Sequence, residues 1–353
     1  MAAKPPGTAN LEDLLVTRGA RSGATIAIAI HSTLLGPALG GVRMWHYAAP
    51  GDGVADAICL ARAMTYKAAA AGLDLGGGKG VICAPTRERP GGELRRRLLR
   101  DFGDAVDSLG GRYVTAEDVG TGAADMIEIG ERTAHVVGLP TEHGGSGDPS
   151  PLTARGVLAA IGACLEHRFG SPAIAGRRVC VVGAGHVGSQ LARLLAVAGA
   201  DLAITDVDRS RRDLAGRLGA DWLDPRKAIS AECEVLAPCA LGGAISAQTV
   251  DLLRCAIVCG AANNVLSEEP IADELHRRGI LYAPDFIANA GGLISVYAEL
   301  KGLRRAEVAP LVEGIGAALR RVLDQADSEA STPLAAARQV ALERLGSPAV
   351  AAA

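Results

Sequence analysis

One segment constrains this chain more than any other: Val181-Val182-Gly183-Ala184-Gly185-His186-Val187-Gly188, where an apolar run passes into glycines in G-x-G-x-x-G register and then into a helical pattern. The order has a physical reason. Gly183 permits a tight turn, Gly185 lets the backbone approach a pyrophosphate, and the amides of His186, Val187 and Gly188 at the helix start favour its charge. With 45 glycines in the chain the register alone is weak evidence. A second apolar run, Leu202-Ala203-Ile204-Thr205, strengthens it by ending in Asp206 and Val207 about twenty residues on, where ribose hydroxyls lie in such folds. A carboxylate there accepts hydrogen bonds from both hydroxyls and repels a 2′-phosphate, which favours NAD over NADP. Arg209, Arg211 and Arg212 nearby keep NADP open.

Around this motif strand-like and helical runs alternate: Val179 to Val182, Ser189 to Ala198, Leu202 to Thr205, Ser210 to Leu218, Val235 to Leu236, Ala256 to Cys259 and Ile280 to Ala283. Such alternation predicts a doubly wound parallel sheet, an α/β Rossmann domain. Before it, Thr25 to Ile30 and Gly80 to Ala84 read as strands, and Val54 to Ala70 and Leu94 to Leu109 as helices, so a second α/β unit comes first. The densest cluster of chain breakers, His143 to Pro151, suggests a hinge, and 353 residues suit two domains. The tail from Ala306 is rich in Ala, Leu, Arg and Glu and reads as helices.

Charge and composition exclude several classes. A net charge of -3 gives no electrostatic case for nucleic acid or an anionic membrane. The longest uncharged stretch, Ala24 to Val42, is interrupted by Ser32, Thr33, Gly36, Pro37 and Gly40, and its Ile26-Ala27-Ile28-Ala29-Ile30 run reads as a buried strand rather than a membrane span. No apolar core of signal-peptide length follows Met1, so a cytoplasmic protein is expected. The eight cysteines form no C-x-x-C pair and read as reduced residues of apolar runs; the seven histidines show no metal-ligand spacing, so no metal is expected.

Three charged residues stand beside glycines or strand ends. Met64-Thr65-Tyr66-Lys67 closes a helical pattern, and Gly76-Gly77-Gly78-Lys79-Gly80 precedes an apolar strand. Glycines there would let a ligand come close to the backbone, while burial and a second ammonium would lower the pKa of Lys79 toward that of a general base. Arg112-Tyr113-Val114-Thr115-Ala116-Glu117-Asp118-Val119-Gly120 reads as a strand running into a turn, able to project an acid. Taken singly each charge reads as a solvated surface residue. Their joint occurrence with a dinucleotide motif favours a catalytic reading.

These segments, together with Leu35-Gly36-Pro37-Ala38-Leu39-Gly40-Gly41, Ala237-Pro238-Cys239-Ala240-Leu241-Gly242-Gly243, Gly260-Ala261-Ala262-Asn263-Asn264 and Asn289-Ala290-Gly291-Gly292, resemble the glutamate/leucine/phenylalanine/valine dehydrogenase superfamily, closest to its leucine and valine dehydrogenase branch. The resemblance implies reversible NAD-dependent oxidative deamination of an apolar L-amino acid to its 2-oxo acid and ammonia. It implies that Lys67 and a Gly40-Gly41 turn hold the substrate carboxylate, that Lys79 activates the water attacking the iminium carbon, and that Asp118 manages the proton on the amino group. Thr153, Cys239, Ala240, Ala261, Asn263 and Asn289 would line the cofactor, and Asn264 the substrate. The architecture it implies is a substrate domain over 1–137, joined by a C-terminal helix over 334–353, and an NAD domain over 138–333. A cleft between the two would close on ligand, in a homo-oligomer.

Positions resembling the family's side-chain pocket are Leu39, Met64, Ala116, Leu293 and Val296, all apolar, which argues against glutamate because no partner for a second carboxylate is present. Valine, leucine and isoleucine fit best. A Gly-Gly-Leu sequence at Leu293 also resembles tryptophan dehydrogenases, so aromatic substrates stay open, as does a catalytically silent dinucleotide-binding homologue. The stretch before Ile26 looks shortened, with Gly19 to Gly23 in place of a family strand.

Overall fold

Five successive buried residues, Ile26 to Ile30, form the centre of strand β2 (Thr25–Ser32) and show why their sequence alternates large with small. Ile26, Ile28 and Ile30 face one core with Leu98, Phe102 and Tyr113, whereas Ala27 and Ala29 face a second with Ala57, Ile58 and Ala61. Strand side chains alternate between faces, so the isoleucine side meets bulky partners and the alanine side lets a helix come close. The computed structural model describes residues 11–240 and 242–346.

In the first unit β1 (Asp13–Arg18), β2, β3 (Ala38–Trp45), β4 (Gly76–Cys83) and β5 (Tyr113–Glu117) form a mixed sheet in the order β1-β2-β4-β3-β5. β1 and β2, and β2 and β4, run antiparallel; β3 is parallel to both β4 and β5. Helices α1 (Pro50–Ala70), α2 (Gly92–Asp107) and α3 (Ala123–Gly130) complete the unit.

Three expectations are corrected here. The stretch before Ile26 does contain a strand, because Gly19 to Gly23 makes a hairpin turn whose Gly19 amide donates to Ala24 at 2.8 Å. The buried Asp101 carboxylate on α2 holds that turn, accepting from the Ser22 amide at 2.8 Å and its hydroxyl at 2.7 Å. Gly40 and Gly41 lie inside β3 rather than in a turn, and the strand expected from Gly80 begins at Gly76 and contains Lys79.

The second unit carries α4 (Ser150–Phe169), β6 (Arg178–Val182), α5 (His186–Val197), β7 (Asp201–Thr205), α6 (Arg212–Leu218), β8 (Asp221–Trp222), β9 (Glu232–Pro238), β10 (Arg254–Val258), α7 (Ile271–Arg277), β11 (Leu281–Tyr282) and α8 (Asp285–Ala288). Its strands pair only in parallel, in the order β11-β10-β9-β6-β7-β8. That is the order of a doubly wound sheet, with its switch point between β6 and β9. β8 was not legible as a strand. Helices α9 (Gly291–Lys301), α10 (Arg305–Ser328) and α11 (Pro333–Arg344) follow.

Within the described residues, one unit runs to Asp148 and includes Val296–Leu303 and the chain from Ala341; the other holds Pro149–Ser295 and Arg304–Val340. The chain thus passes between units inside the breaker cluster, eleven residues after the boundary expected at 137/138. Residues 138–148 stay with the first unit because the Glu299 carboxylate on α9 accepts from the amides of Gly138 at 3.0 Å and Ser146 at 2.8 Å. No helix among the described residues is long and apolar enough to cross a membrane. Among the cysteines Cys164, Cys180, Cys255 and Cys259 are buried, whereas Cys59 is exposed on α1.

Candidate active site

Lys79 is 5% exposed and sits on β4 among glycines that are explained by packing. A Cβ on Gly77 would collide with the amide nitrogen and hydroxyl of Thr65 on α1, and one on Gly78 would stand 2.6 Å from the Tyr113 ring. The glycines were expected to admit a ligand; instead Gly77 admits a helix on the face that carries Lys79, and Gly78 admits a tyrosine on the opposite face. Met64 and Lys67, both half-buried, lie in the same last two turns of α1 as Thr65. Tyr113, read in the sequence only as part of a strand, is fully buried and donates its hydroxyl to the Gly40 carbonyl at 2.5 Å.

The Lys79 ammonium meets Asp118 Oδ2 at 2.8 Å. Asp118 follows β5 in a turn tied to β3, since Thr121 Oγ1 accepts from the Asp118 amide at 3.0 Å and donates to the Val42 carbonyl at 2.8 Å. Gly41 leaves room for it, because a Cβ there would stand 2.9 Å from Asp118 Cβ. Burial pushes the Lys79 pKa below its ordinary value and prevails over the opposing attraction of Asp118. Burial would raise the Asp118 pKa, but Lys79 and Arg43 together hold it below the usual carboxylate value.

Arg43 is the largest omission of the sequence reading. Its Nε donates to Asp118 Oδ2 at 3.0 Å and its Nη1 to Asp56 Oδ2 at 3.0 Å, while the Tyr47 hydroxyl donates to Asp56 Oδ2 at 2.5 Å. Both cations fall on Oδ2 of Asp118, which leaves Oδ1 without a hydrogen bond among the described residues. A signal for Arg43 existed. Pairing of Val42 with Gly80 and of Arg43 with Val81 puts Arg43 diagonally across from Lys79 on one face of the sheet, but only once Gly40 and Gly41 are recognised as strand. Leu39 and Ala116 are buried on the neighbouring strands β3 and β5.

The second unit holds the glycine motif as a strand-turn-helix. Gly183 has φ of 102°, and a Cβ there would stand 2.7 Å from that of Ala240, so the loop after β6 closes against the loop after β9 that carries Cys239 and Ala240. Gly185 opens α5 with no side-chain cap and nothing within 4 Å of a Cβ position, leaving the first-turn amides of His186 and Val187 beside open space; Gly188 is buried against Gly183. Asp206 accepts from the Ala184 amide at 2.6 Å and the Asp208 amide at 2.8 Å, which uses one lone pair on each oxygen. A cavity of about 710 Å³ lies beside it, lined by Asp206, Val207, Arg209, Arg212 and Trp222 among others. An uncapped helix start, an open glycine and a carboxylate with spare lone pairs next to a cavity fit a dinucleotide.

Other expected residues have structural duties. The Asn289 side-chain amide donates to the Ala261 carbonyl at 3.3 Å and to Asn263 Oδ1 at 2.8 Å, so it holds the loop after β10. Asn264 takes a left-handed φ of 50°, with its carbonyl accepting from the Gly243 amide at 2.7 Å. Thr153, in the first turn of α4, donates to the Pro149 carbonyl at 3.0 Å. Leu293 belongs to the second unit, whereas Leu39, Met64, Ala116 and Val296 belong to the first. Val296 lies one helical turn before Glu299, which fixes its end of α9 through the bonds to Gly138 and Ser146.

The Glu/Leu/Phe/Val dehydrogenase dimerisation-domain profile matches residues 17–135, and the Glutamate/Leucine/Phenylalanine/Valine dehydrogenase profile matches residues 203–350. A leucine dehydrogenase of Thermoactinomyces intermedius is 42% identical over 335 residues, 95% of this chain and 90% of its own. A valine dehydrogenase of Streptomyces virginiae is 41% identical over 343 residues, 95% of this chain and 93% of its own. The crystal structure of L-tryptophan dehydrogenase from Nostoc punctiforme superposes with a TM-score of 0.86 at 36% identity, covering 96% of each chain.

Proposed function

Since this chain belongs to the glutamate/leucine/phenylalanine/valine dehydrogenase family, we propose that it is an NAD-dependent amino-acid dehydrogenase converting L-valine, L-leucine or L-isoleucine and water to the 2-oxo acid and ammonia. The observation that carries this reading is the buried Lys79–Asp118 pair, a base candidate and an acid candidate joined at 2.8 Å. Lys67 and the β3 segment Gly40-Gly41 hold the substrate carboxylate, an ammonium serving as a point charge. Asp118, through its free Oδ1, takes a proton from the substrate amino group. NAD, when bound, supplies the acceptor for the hydride leaving Cα. Lys79, whose positive charge burial disfavours, then takes a proton from the water that attacks the iminium carbon, and Asp118 returns a proton to the departing ammonia.

The same reading assigns the NAD pyrophosphate to Gly183, Gly185 and the start of α5, its adenosine to Asp206 and Val207, and its nicotinamide side to Thr153, Cys239, Ala240, Ala261, Asn263 and Asn289. Leu39, Met64, Ala116, Leu293 and Val296 would surround the side chain, with Asn264 nearby. The test is NADH formation at alkaline pH with each apolar L-amino acid and with L-glutamate. Turnover with valine, leucine and isoleucine is expected, and flat traces throughout would reject the activity in favour of a silent dinucleotide-binding homologue. The L-tryptophan dehydrogenase likeness supports one second reading, the same chemistry on an aromatic side chain, which phenylalanine and tryptophan in the same panel would reveal.

Asp206→Ala removes the ribose acceptor while Arg209 and Arg212 stay beside the cavity. NAD affinity should fall about tenfold, the worth of roughly one charge-assisted hydrogen bond, and the NAD-over-NADP ratio should narrow. Protein-fluorescence titration with each cofactor reads both numbers. The dimerisation-domain match supports a homo-oligomer of this cytoplasmic enzyme, which light scattering would size.

A further inference from the structure

We propose that Arg43, anchored by Asp56 and Tyr47, is a positioning residue that shares Asp118 Oδ2 with Lys79 and thereby sets the pH at which Lys79 becomes a base. The proposal rests on the reading of Lys79 above and adds a residue to it. An exclusive carboxylate partner would stabilise the Lys79 ammonium and make a poor base of it. Here the partner oxygen is divided: Asp118 Oδ2 lies 2.8 Å from Lys79 Nζ and 3.0 Å from Arg43 Nε. A guanidinium that never deprotonates thus keeps a positive partner on the carboxylate oxygen whichever form Lys79 takes. Asp56 keeps the guanidinium there through Nη1 at 3.0 Å, and the Tyr47 hydroxyl fixes the same Asp56 oxygen at 2.5 Å.

The charges around Lys79 come from every element packed on it. Arg43 comes from β3, Asp56 from α1 and Asp118 from the turn after β5, while β2 presents the apolar Ala29 opposite Lys79. Arg43 and Asp56 therefore act on Lys79 with opposite sign. Removing the positive neighbour makes the ammonium easier to keep, so Lys79 must lose its proton at higher pH. Removing Asp56 does the reverse.

The experiment is the pH profile of kcat/KM for oxidative deamination by the full-length protein and its variants Arg43→Gln, Arg43→Lys and Asp56→Asn, with Lys79→Ala alongside. The acid limb should move up by about one to three pH units in Arg43→Gln, the scale of one charge ~4–6 Å away at an effective dielectric of ~20–40. It should stay at the wild-type position in Arg43→Lys and move down in Asp56→Asn. A packing role alone would lower kcat in these variants with the limb in place, and that result overturns the proposal. If Arg43→Gln does not fold, as judged by circular dichroism, the Arg43→Lys and Asp56→Asn pair carries the decision: an Asp56→Asn limb that is unmoved or raised overturns it. Turnover that survives in Lys79→Ala would instead overturn the underlying assignment of Lys79 as base.

Discussion

Lys79→Ala should lower kcat/KM for the preferred amino acid by roughly 10³–10⁴-fold, within the range for loss of a positioned general base, while leaving NAD affinity within about twofold. The split follows from placement: Lys79 lies on β4 of the first unit, and the Gly183–Gly188 loop lies in the second. The fold should survive. Truncating one partner of a buried ion pair is usually costly because the other charge is stranded, but Asp118 keeps Arg43 at 3.0 Å on the same oxygen. Rapid-mixing measurement of NADH formation together with a fluorescence titration of NAD separates the two quantities. Activity within tenfold of wild type, in protein of normal thermal stability, would remove Lys79 from the mechanism.

Gly77→Ala should lower the melting temperature and also reduce activity about 10²-fold. Its new methyl would drive into the Thr65 amide and the Ala61 carbonyl, which are helix backbone and cannot swing aside as a side chain would. β4 cannot retreat either, since it is paired with β2 on one side and β3 on the other. The remaining response is a shift of α1 away from the sheet, at roughly the 1–3 kcal/mol typical of an overfilled core. Lys67, proposed to hold the substrate carboxylate, travels with that helix, and a displacement on the order of 1 Å in such a group would account for the activity loss. Gly51→Ala on the same helix is the contrast: nothing lies within 4 Å of its Cβ position, so the change should stabilise by about 0.5–1 kcal/mol through helix propensity. Calorimetry of the two variants tests the opposite signs; equal melting temperatures would refute the close seat of α1 on Gly77.

Features governed by neighbours a few residues apart were readable from the chain alone. The Ile26–Ile30 run announced a strand buried on both faces, Val54–Ala70 a helix, and Val179–Asp206 a strand-turn-helix-strand unit, because side-chain periodicity and glycine dihedral needs are local properties. Lys79 and Asp118 could be nominated on the same basis, one for its glycine surroundings and the other for its place at a strand end. What needed tertiary structure was everything depending on which strands become neighbours. Only the placement of β3 between β4 and β5 turns Gly40 and Gly41 from an apparent turn into strand, brings Arg43 onto the oxygen that Lys79 uses, and explains Gly77 and Gly78 as seats for α1 and Tyr113. Asp118 lies 75 residues from Arg43 and Glu299 lies 161 from Gly138, so no local pattern reports either pairing. Periodicity identifies a strand's faces but not its neighbours; long-range packing chooses those, and with them the charges brought next to Lys79.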